Sequence, residues 1–380
     1  MRVLMISKAC VVGAYQRKLE EIAACADIQL TAAVPPEWRD ERGVLRLERA
    51  YTCGYELVVE PMALNGSFHL HFFPRLGALI ARLRPDVIHI DEEPYNFATW
   101  HALRLARKHK AKTLFFSWQN LLRRYPFPFN RMERYVLRHA DAAIVGNQEA
   151  LAVWRAKGYT GPIRVIPQFG IDPDIFIPRP PPPAPRPTPH AFILGYAGRL
   201  VPEKGVDILL KALAQLPPHA RLRIQGAGPE RGSLHRLAAQ LGLSQRVSFD
   251  PLIPSTQMPD FYAQLDCVVL PSRARPNWKE QFGRVLVEAM ACGVPVIGSD
   301  SGEIPNVVGD AGLIFPEENV DALAARLREL MNEASLRESL AAKGRARVLE
   351  RYTQKRVAEE TVKMYRMMVE RDAMEKGSRL

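Results

Sequence analysis

EQFGRVLVEAMACGVPVIG, residues 280–298, sets a helix, a turn and a strand next to one another. From Gly283 to Ala291 the apolar side chains crowd all but Arg284 and Glu288, which reads as a largely buried helix. The helix is read to Ala291, and 295–298 follows as a short strand apolar on both faces. Such a strand, entered from a helix over a tight turn, belongs to a mostly parallel sheet covered on both sides. Two carboxylates lie eight positions apart, Glu280 in the loop ahead of the helix and Glu288 inside it, so both can address one ligand from different sides. The amides of Phe282, Gly283 and Arg284 at the helix start favour a phosphate. Without a ligand, Glu280 is an exposed loop acid and Glu288 a partly buried helix acid, and burying a carboxylate without a partner is costly.

The same alternation extends in both directions. Strands are expected at 192–197, 221–225, 247–249 and 267–270, with helices at 205–215, 233–241 and 258–263 between them. Upstream, strands at 2–7, 86–90, 113–117 and 142–145 alternate with helices at 16–25, 98–109, 130–139 and 148–157. PRPPPPAPRPTP at 178–189 holds eight prolines in twelve residues, which no helix or sheet can cross, so 178–190 reads as a stiff exposed spacer or a proline-rich partner ligand. This predicts an α/β chain with two doubly wound domains, 1–177 and 191–353. The tail is helical at 320–331, at 332–352 with a break near the middle, and from 354; the last helix, 354–380, is expected to complete the first domain.

The 380 residues are 47% hydrophobic and 24% charged, which excludes a disordered chain, a collagen-like repeat and a disulfide-stapled miniprotein. Apolar runs break well before 18 residues, so no transmembrane helix is expected, and MRVLMISKAC reads as a first strand rather than a secretory signal. Five cysteines without CxxC or CxH spacing and scattered histidines predict neither zinc nor disulfides, no metal site, and a reducing cytoplasm. The net charge of +11 leans toward the first half and fits nucleic acid, a phosphorylated substrate or an anionic membrane surface.

Further strand-to-helix junctions carry candidate chemistry. GRLVPEKG, 198–205, places Arg199 and Lys204 at the carboxyl edge of a parallel sheet, where Gly198 turns the chain and the two cations can clamp a diphosphate; a solvated loop would look similar. GAGP, 226–229, allows the backbone at Gly226 and Gly228 to approach a nucleotide closely, although it lacks the full dinucleotide fingerprint. Asp91, Glu92 and Glu93 sit after a strand, either to bind ligand hydroxyls, with Glu92 or Glu93 the candidates, or as a solvated turn. His69 and His71 alternate with Phe68, Leu70 and Phe72 as in a half-buried strand. The run from Arg123 to Arg131 interleaves bases with aromatics, as nucleic-acid stacking, a lipid interface or a packing loop would require.

In order along the chain, GRL-x3-KG, GAGP, Glu-x7-Glu and SGEIPNVVGDAGLIF at 301–315 resemble blocks of the retaining glycosyltransferases of GT-B fold, specifically the large fourth sequence family. The resemblance implies two Rossmann-like domains facing a deep cleft, a nucleoside-diphosphate sugar as donor and a glycan or lipid-linked acceptor. Glu280 would then meet donor-sugar hydroxyls and Glu288 the ribose, while Arg199 and Lys204 neutralise the leaving diphosphate. Cationic side chains and helix amides can take that charge, so neither metal nor another cofactor is implied. Gly13, and with it Ala14, would approach the donor phosphates from the first domain, although KACVVGAYQRK lacks the two adjacent glycines of many relatives. A histidine common in the family after the strand at 113–117 is replaced here by Trp118-Gln119-Asn120; Gln119 or Asn120 can supply its hydrogen bond but not its titration.

Rival functions are weaker on the same residues. A sugar-nucleotide epimerase or hydrolase would need water or an extra base at the anomeric carbon. A nucleic-acid-binding protein would show a continuous basic groove, whereas the arginines here are spread over amphipathic helices. A catalytically dead scaffold is supported only by the missing histidine. The expectation is a cytoplasmic transferase, peripheral on the inner membrane face through its basic first domain, with no nucleic-acid partner.

Overall fold

A computed structural model of the chain describes residues 1–40, 43–180 and 191–377, of which 371–377 are given by backbone alone. The chain forms two compact units, one from Met1 to Gly170 plus the residues from Gln354 onward, the other from Ile171 to Thr353.

The first unit contains β1 Arg2–Ile6, β2 Gln29–Val34, β3 Glu37–Asp40, β4 Gly43–Arg46, β5 Glu56–Val59, β6 Val87–Ile90, β7 Lys112–Ser117, β8 Ala142–Val145 and β9 Ile163–Val165. Seven of these make one parallel sheet in the order β5-β2-β1-β6-β7-β8-β9, and β3 pairs with β4 as an antiparallel hairpin. Strand alternation sorts the core. Val3 and Met5 of β1 face one layer with Leu30, Leu114 and Phe116, whereas Leu4 and Ile6 face the other with Ile88 and Ile90. Helices α1 Arg17–Ala23, α2 Leu76–Leu83, α3 Phe97–Lys108, α4 Phe129–His139 and α5 Gln148–Ala156 cover it. The C-terminal helix, Gln354–Gly377, joins the first layer through Val357, Val362, Met364, Tyr365 and Met368. Tyr365 OH lies 2.7 Å from Nδ1 of the buried His89, and Arg366 pairs with Asp27 at 2.7 Å.

The second unit contains β10 Phe192–Ala197, β11 Ala220–Gln225, β12 Val247–Asp250, β13 Cys267–Leu270, β14 Val296–Ser299 and β15 Leu313–Phe315. Its parallel sheet runs β12-β11-β10-β13-β14-β15, the doubly wound order in which the crossovers reverse between β10 and β13. Helices α6 Val206–Ala214, α7 Arg231–Gln240, α8 Met258–Tyr262, α9 Arg284–Ala291, α10 Ile304–Val308, α11 Val320–Asn332 and α12 Ala334–Arg351 enclose it. Both units are therefore Rossmann-like α/β domains, as the alternation of apolar strands with helices predicts.

Several sequence expectations need correction. The division falls at Gly170 rather than 177, because Ile171 and Phe176 bury into the second core. The expected spacer begins packed: Pro178 lies against Gly293 and Arg179 pairs with Asp260 at 2.5 Å, while 181–190 lies outside the described residues. Helix α12 runs unbroken; its mid-helix Gly344 is buried where an added Cβ would stand 3.0 Å from Met290 Cγ, so the glycine serves packing on α9. The expected strand around His69 and His71 is a turn, because the Ser67 carbonyl accepts the amides of Leu70 and His71 and removes them from any ladder. Among the described residues no helix is long and apolar enough to cross a membrane.

Candidate functional site

At the point in the second sheet where the crossovers reverse, two loops leave neighbouring strands, 198–205 after β10 and 271–283 after β13. Gly205 adopts φ +66°, and a Cβ there would stand 2.0 Å from the Pro271 carbonyl oxygen, so only glycine lets the loops close on each other. That approach sets Lys204 Nζ 2.5 Å from Glu280 Oε2, and Ser272 Oγ donates to the same oxygen at 2.7 Å. The Trp278 ring centre lies 5.0 Å from the ammonium. Glu280 is 7% exposed, and its carbonyl accepts the Glu303 amide at 3.1 Å. Among the partners of this buried carboxylate are thus a cation and a hydroxyl, which offset the desolvation it would otherwise suffer. Arg199 is exposed beside Gly198, its carbonyl fixed by Tyr196 OH at 2.7 Å.

Glu288 is as buried as Glu280, on the helix that follows. Helix α9 starts after Gly283, which has φ +77°, and Glu288 Oε2 accepts Tyr262 OH at 2.8 Å while Oε1 accepts Arg284 Nε at 2.8 Å. Burial first, and then Glu288 itself, drives the Tyr262 phenol well above its usual range, so it stays a donor. Each acid of the pair therefore has its own cation. The ring of Phe282 meets Tyr352 edge to face at 5.6 Å. At GAGP, an added Cβ at Gly226 would stand 2.0 Å from the Gly198 oxygen and one at Gly228 2.3 Å from the Leu200 oxygen. Both glycines are required by packing of this turn on the 198–200 loop, a demand that the spacing alone does not reveal.

In the first unit, the loops at the carboxyl ends of β1, β6 and β7 converge. Asp91 accepts Ser7 Oγ at 2.5 Å, and Lys8 pairs with Glu92 between the rings of Trp38 and Phe68, 5.2 and 5.1 Å from its ammonium. His71 Nε2 is 3.4 Å from Glu92. Against the upward push of burial, Lys8 and His71 hold the Glu92 carboxyl down to about 2. The acids at 91–93 do not form the solvated turn that was one of their two expected forms, because Asp91 and Glu92 are buried and Glu93 is bonded to Ser117 Oγ at 2.5 Å and to the Trp118 amide at 2.8 Å. His69 Nδ1 lies 3.3 Å from Asn96 Oδ1.

Glu93 yields a test of its own. Burial pushes its carboxyl up to about 7 despite the Ser117 and Trp118 bonds. Its folded value lies above the ~4.3 of a free glutamate, so the folded state binds the extra proton and stability falls as pH rises from about 4.5 to 7. Glu93→Gln should remove that fall, making the variant, relative to the parent, more stable at pH 8 than at pH 5 by about 2–3 kcal/mol. Parallel urea unfolding curves of variant and parent at both values would refute the assignment.

Gln119 is buried and engaged inside its own loop: Nε2 donates to the Leu121 carbonyl at 2.9 Å and Oε1 accepts Tyr125 OH at 3.2 Å. Asn120 Nδ2 donates to Glu149 at 3.2 Å. Gly13 is buried, and its amide donates to the Glu48 carboxylate at 2.6 Å under a segment that the Gln16 amide clamps at the Glu48 carbonyl and the Ala50 amide. Sequence reading missed Ser272, Tyr262, Trp278, Lys8, Ser117 and Glu48. Ser272 and Ser117 carried the one available signal, a hydroxyl at or just past the end of a buried strand. Among the described residues no group of three or more His, Cys, Asp or Glu is gathered as a metal site, and the five cysteines are free.

Comparison with known proteins covers most of the chain in two pieces. The family model described as "Glycosyltransferase Family 4" matches residues 30–175, and "Glycosyl transferases group 1" matches 184–347. A GDP-mannose-dependent alpha-(1-6)-phosphatidylinositol monomannoside mannosyltransferase of Mycolicibacterium smegmatis is 33% identical over 46% of this chain and 49% of its own length. The chain thus spans about half of that relative. A D-inositol 3-phosphate glycosyltransferase of Stackebrandtia nassauensis is 29% identical over 87% of this chain and 73% of its own. Among solved structures, sucrose-phosphate synthase of Thermosynechococcus elongatus has the same fold, with a TM-score of 0.72 at 22% identity over 97% of this chain and 99% of that one. With two Rossmann-like units and glycosyltransferase models matched in order along both, the chain is a GT-B-fold protein related to the family 4 glycosyltransferases.

Proposed function

We propose that this protein is a retaining glycosyltransferase that moves a hexose from a nucleoside-diphosphate sugar to a hydroxyl of a glycan or lipid-linked acceptor. The observation that carries the reading is the Lys204–Glu280 pair with Ser272, set by two loops at the crossover-reversal point of the second sheet, where α/β proteins bind nucleotides. Lys204 and Arg199 take the diphosphate, Glu288 the ribose hydroxyls, and Glu280 the sugar hydroxyls. When the bond from sugar C1 to the β-phosphate oxygen breaks, the charge left on the diphosphate is met by these cations and by the amides at the start of α9, with no metal required. The acceptor oxygen bonds to C1 on the face that the diphosphate leaves, its proton passes to the departing phosphate oxygen, and the products are a nucleoside diphosphate and a glycoside of unchanged anomeric configuration. In this reading the acceptor meets the first unit at Glu92 or Glu93, and Gln119 takes the place of the family's histidine by exchanging its bonds to Leu121 and Tyr125 for one to the sugar.

GDP-mannose, UDP-glucose and UDP-N-acetylglucosamine are the candidate donors. The Mycolicibacterium relative takes GDP-mannose by its name and acts on a phosphatidylinositol mannoside, which favours that donor and a lipid-borne acceptor here. The free cysteines fit work in a reducing cytoplasm. Calorimetry of the full chain with each donor, without added metal, should find one that binds selectively. Glu288→Gln, which keeps an acceptor for Tyr262, should weaken it about tenfold or more through loss of charged hydrogen bonds to the ribose. Folded protein that binds none of the three would sink the transferase reading, and release of free sugar at the same rate with or without acceptors would favour a hydrolase instead.

A further inference from the structure

We propose that the segment 121–138 of the first unit is a docking surface for an anionic lipid bilayer. Leu122 and Phe127 are 66% and 69% exposed at the tip of the loop before α4, and Phe68 and Leu70 are 47% and 39% exposed on the turn at 66–72. The two loops touch: the His69 ring lies 5.1 Å from that of Phe129 and 6.0 Å from that of Tyr125, which stacks on Tyr95 at 4.1 Å. The apolar tips thus stand on a shared aromatic base rather than on separate flexible arms. Large apolar side chains so exposed mark a contact surface.

The exposed charge within 121–138 has one sign. Arg123 and Arg124 are exposed on the loop, and Arg131, Arg134 and Arg138 are exposed along one face of α4, at the spacing i, i+3, i+7. The Arg131 guanidinium lies 5.3 Å from the Phe127 ring. The sole acid between 121 and 138 is Glu133, which is buried and paired with Lys157 at 2.5 Å. Exposed charge in this segment therefore comes from arginine alone. Exposed arginines on the same segment as protruding leucine and phenylalanine match a bilayer surface, where guanidinium groups meet lipid phosphates and the apolar tips enter the boundary between headgroups and acyl chains. This surface lies wholly in the first unit and does not depend on the transferase reading, since docking needs no nucleotide.

Co-sedimentation of the full chain with vesicles, in the absence of nucleotide, tests it. Binding is expected to phosphatidylcholine vesicles containing phosphatidylglycerol, much less to pure phosphatidylcholine, and to weaken as salt is raised. Arg123→Glu with Arg124→Glu should reduce binding by about tenfold or more, from the contribution each arginine makes near an anionic surface. Leu122→Ser with Phe127→Ser should reduce binding and leave the salt dependence of the remainder. Unchanged melting and unchanged donor calorimetry in both variants would show that the loss is local and the donor site separate. No binding of folded parent to anionic vesicles, equal binding to both vesicle types, or full binding by both variants would overturn the proposal. So would tight binding of a single-stranded oligonucleotide, lost in the same variants, by protein that ignores vesicles.

Discussion

Lys204→Ala is expected to lower the transfer rate by about two to three orders of magnitude, the loss typical of removing one preorganised group at a developing anion. It should also destabilise the second unit, because Glu280 stays buried and loses its cation while keeping the Ser272 hydroxyl. Breaking a buried pair from one side costs about 3–5 kcal/mol, the hydroxyl sparing part of it. The two effects separate in the double variant Lys204→Ala/Glu280→Gln, where an amide needs no counter-charge. Its unfolding midpoint should return toward that of the parent while its rate stays low or falls further. Initial rates with the donor found by calorimetry, set beside urea unfolding of all three proteins, would decide it. A Lys204→Ala enzyme within threefold of the parent rate would remove the cation from the leaving-group role.

Ending the chain at Thr353 should cost the first unit its cooperative fold. The C-terminal helix contributes Val357, Val362, Met364, Tyr365 and Met368 to one layer of that unit, each between 0% and 4% exposed. At about 1.5–3 kcal/mol for each buried apolar side chain, their loss amounts to roughly 10 kcal/mol, comparable to the whole stability of a domain. The truncation also uncovers Val3, Met5, Leu114 and Phe116 and leaves His89 without the Tyr365 hydroxyl. Calorimetric melting should lose one transition and keep the other, since the residues from Ile171 to Thr353 form a unit of their own. Two intact transitions would show that the helix is dispensable.

Much of the fold was legible because the central strands are apolar on both faces. β8, β10 and β13 have the bounds their apolar runs suggest. What escaped lies where that contrast fades: β2 is QLTAAV, rich in small residues, β5 is an edge strand, and the β3–β4 hairpin is strongly charged. The segment around His71 misled because Phe-His-Leu-His-Phe has the period of a strand, whereas the Ser67 carbonyl gathers the chain into a turn and buries His71 while leaving Phe68 and Leu70 outside. In the candidate site, Glu280, Glu288, Arg199 and Lys204 stood out by type and spacing. Their partners did not, since Tyr262 reaches Glu288 across 26 positions and Lys204 reaches Glu280 across 76. Such pairings depend on which loops the sheet order makes neighbours.

The bond between the Ile171 amide and the Tyr352 carbonyl, 2.8 Å long, and the parallel bridge from Ile171 to Thr353 have a topological meaning. Chain enters and leaves the second unit at adjacent points, so that unit is an insertion whose ends are already joined. Bringing together the ends of a flexible loop as long as the segment from Ile171 to Thr353 would carry roughly 4–5 kcal/mol of closure entropy from its length alone. Once the insertion has folded, the rest of the chain experiences it as a short connector, and the C-terminal helix is delivered next to Gly170, which precedes it by nearly half the protein's length.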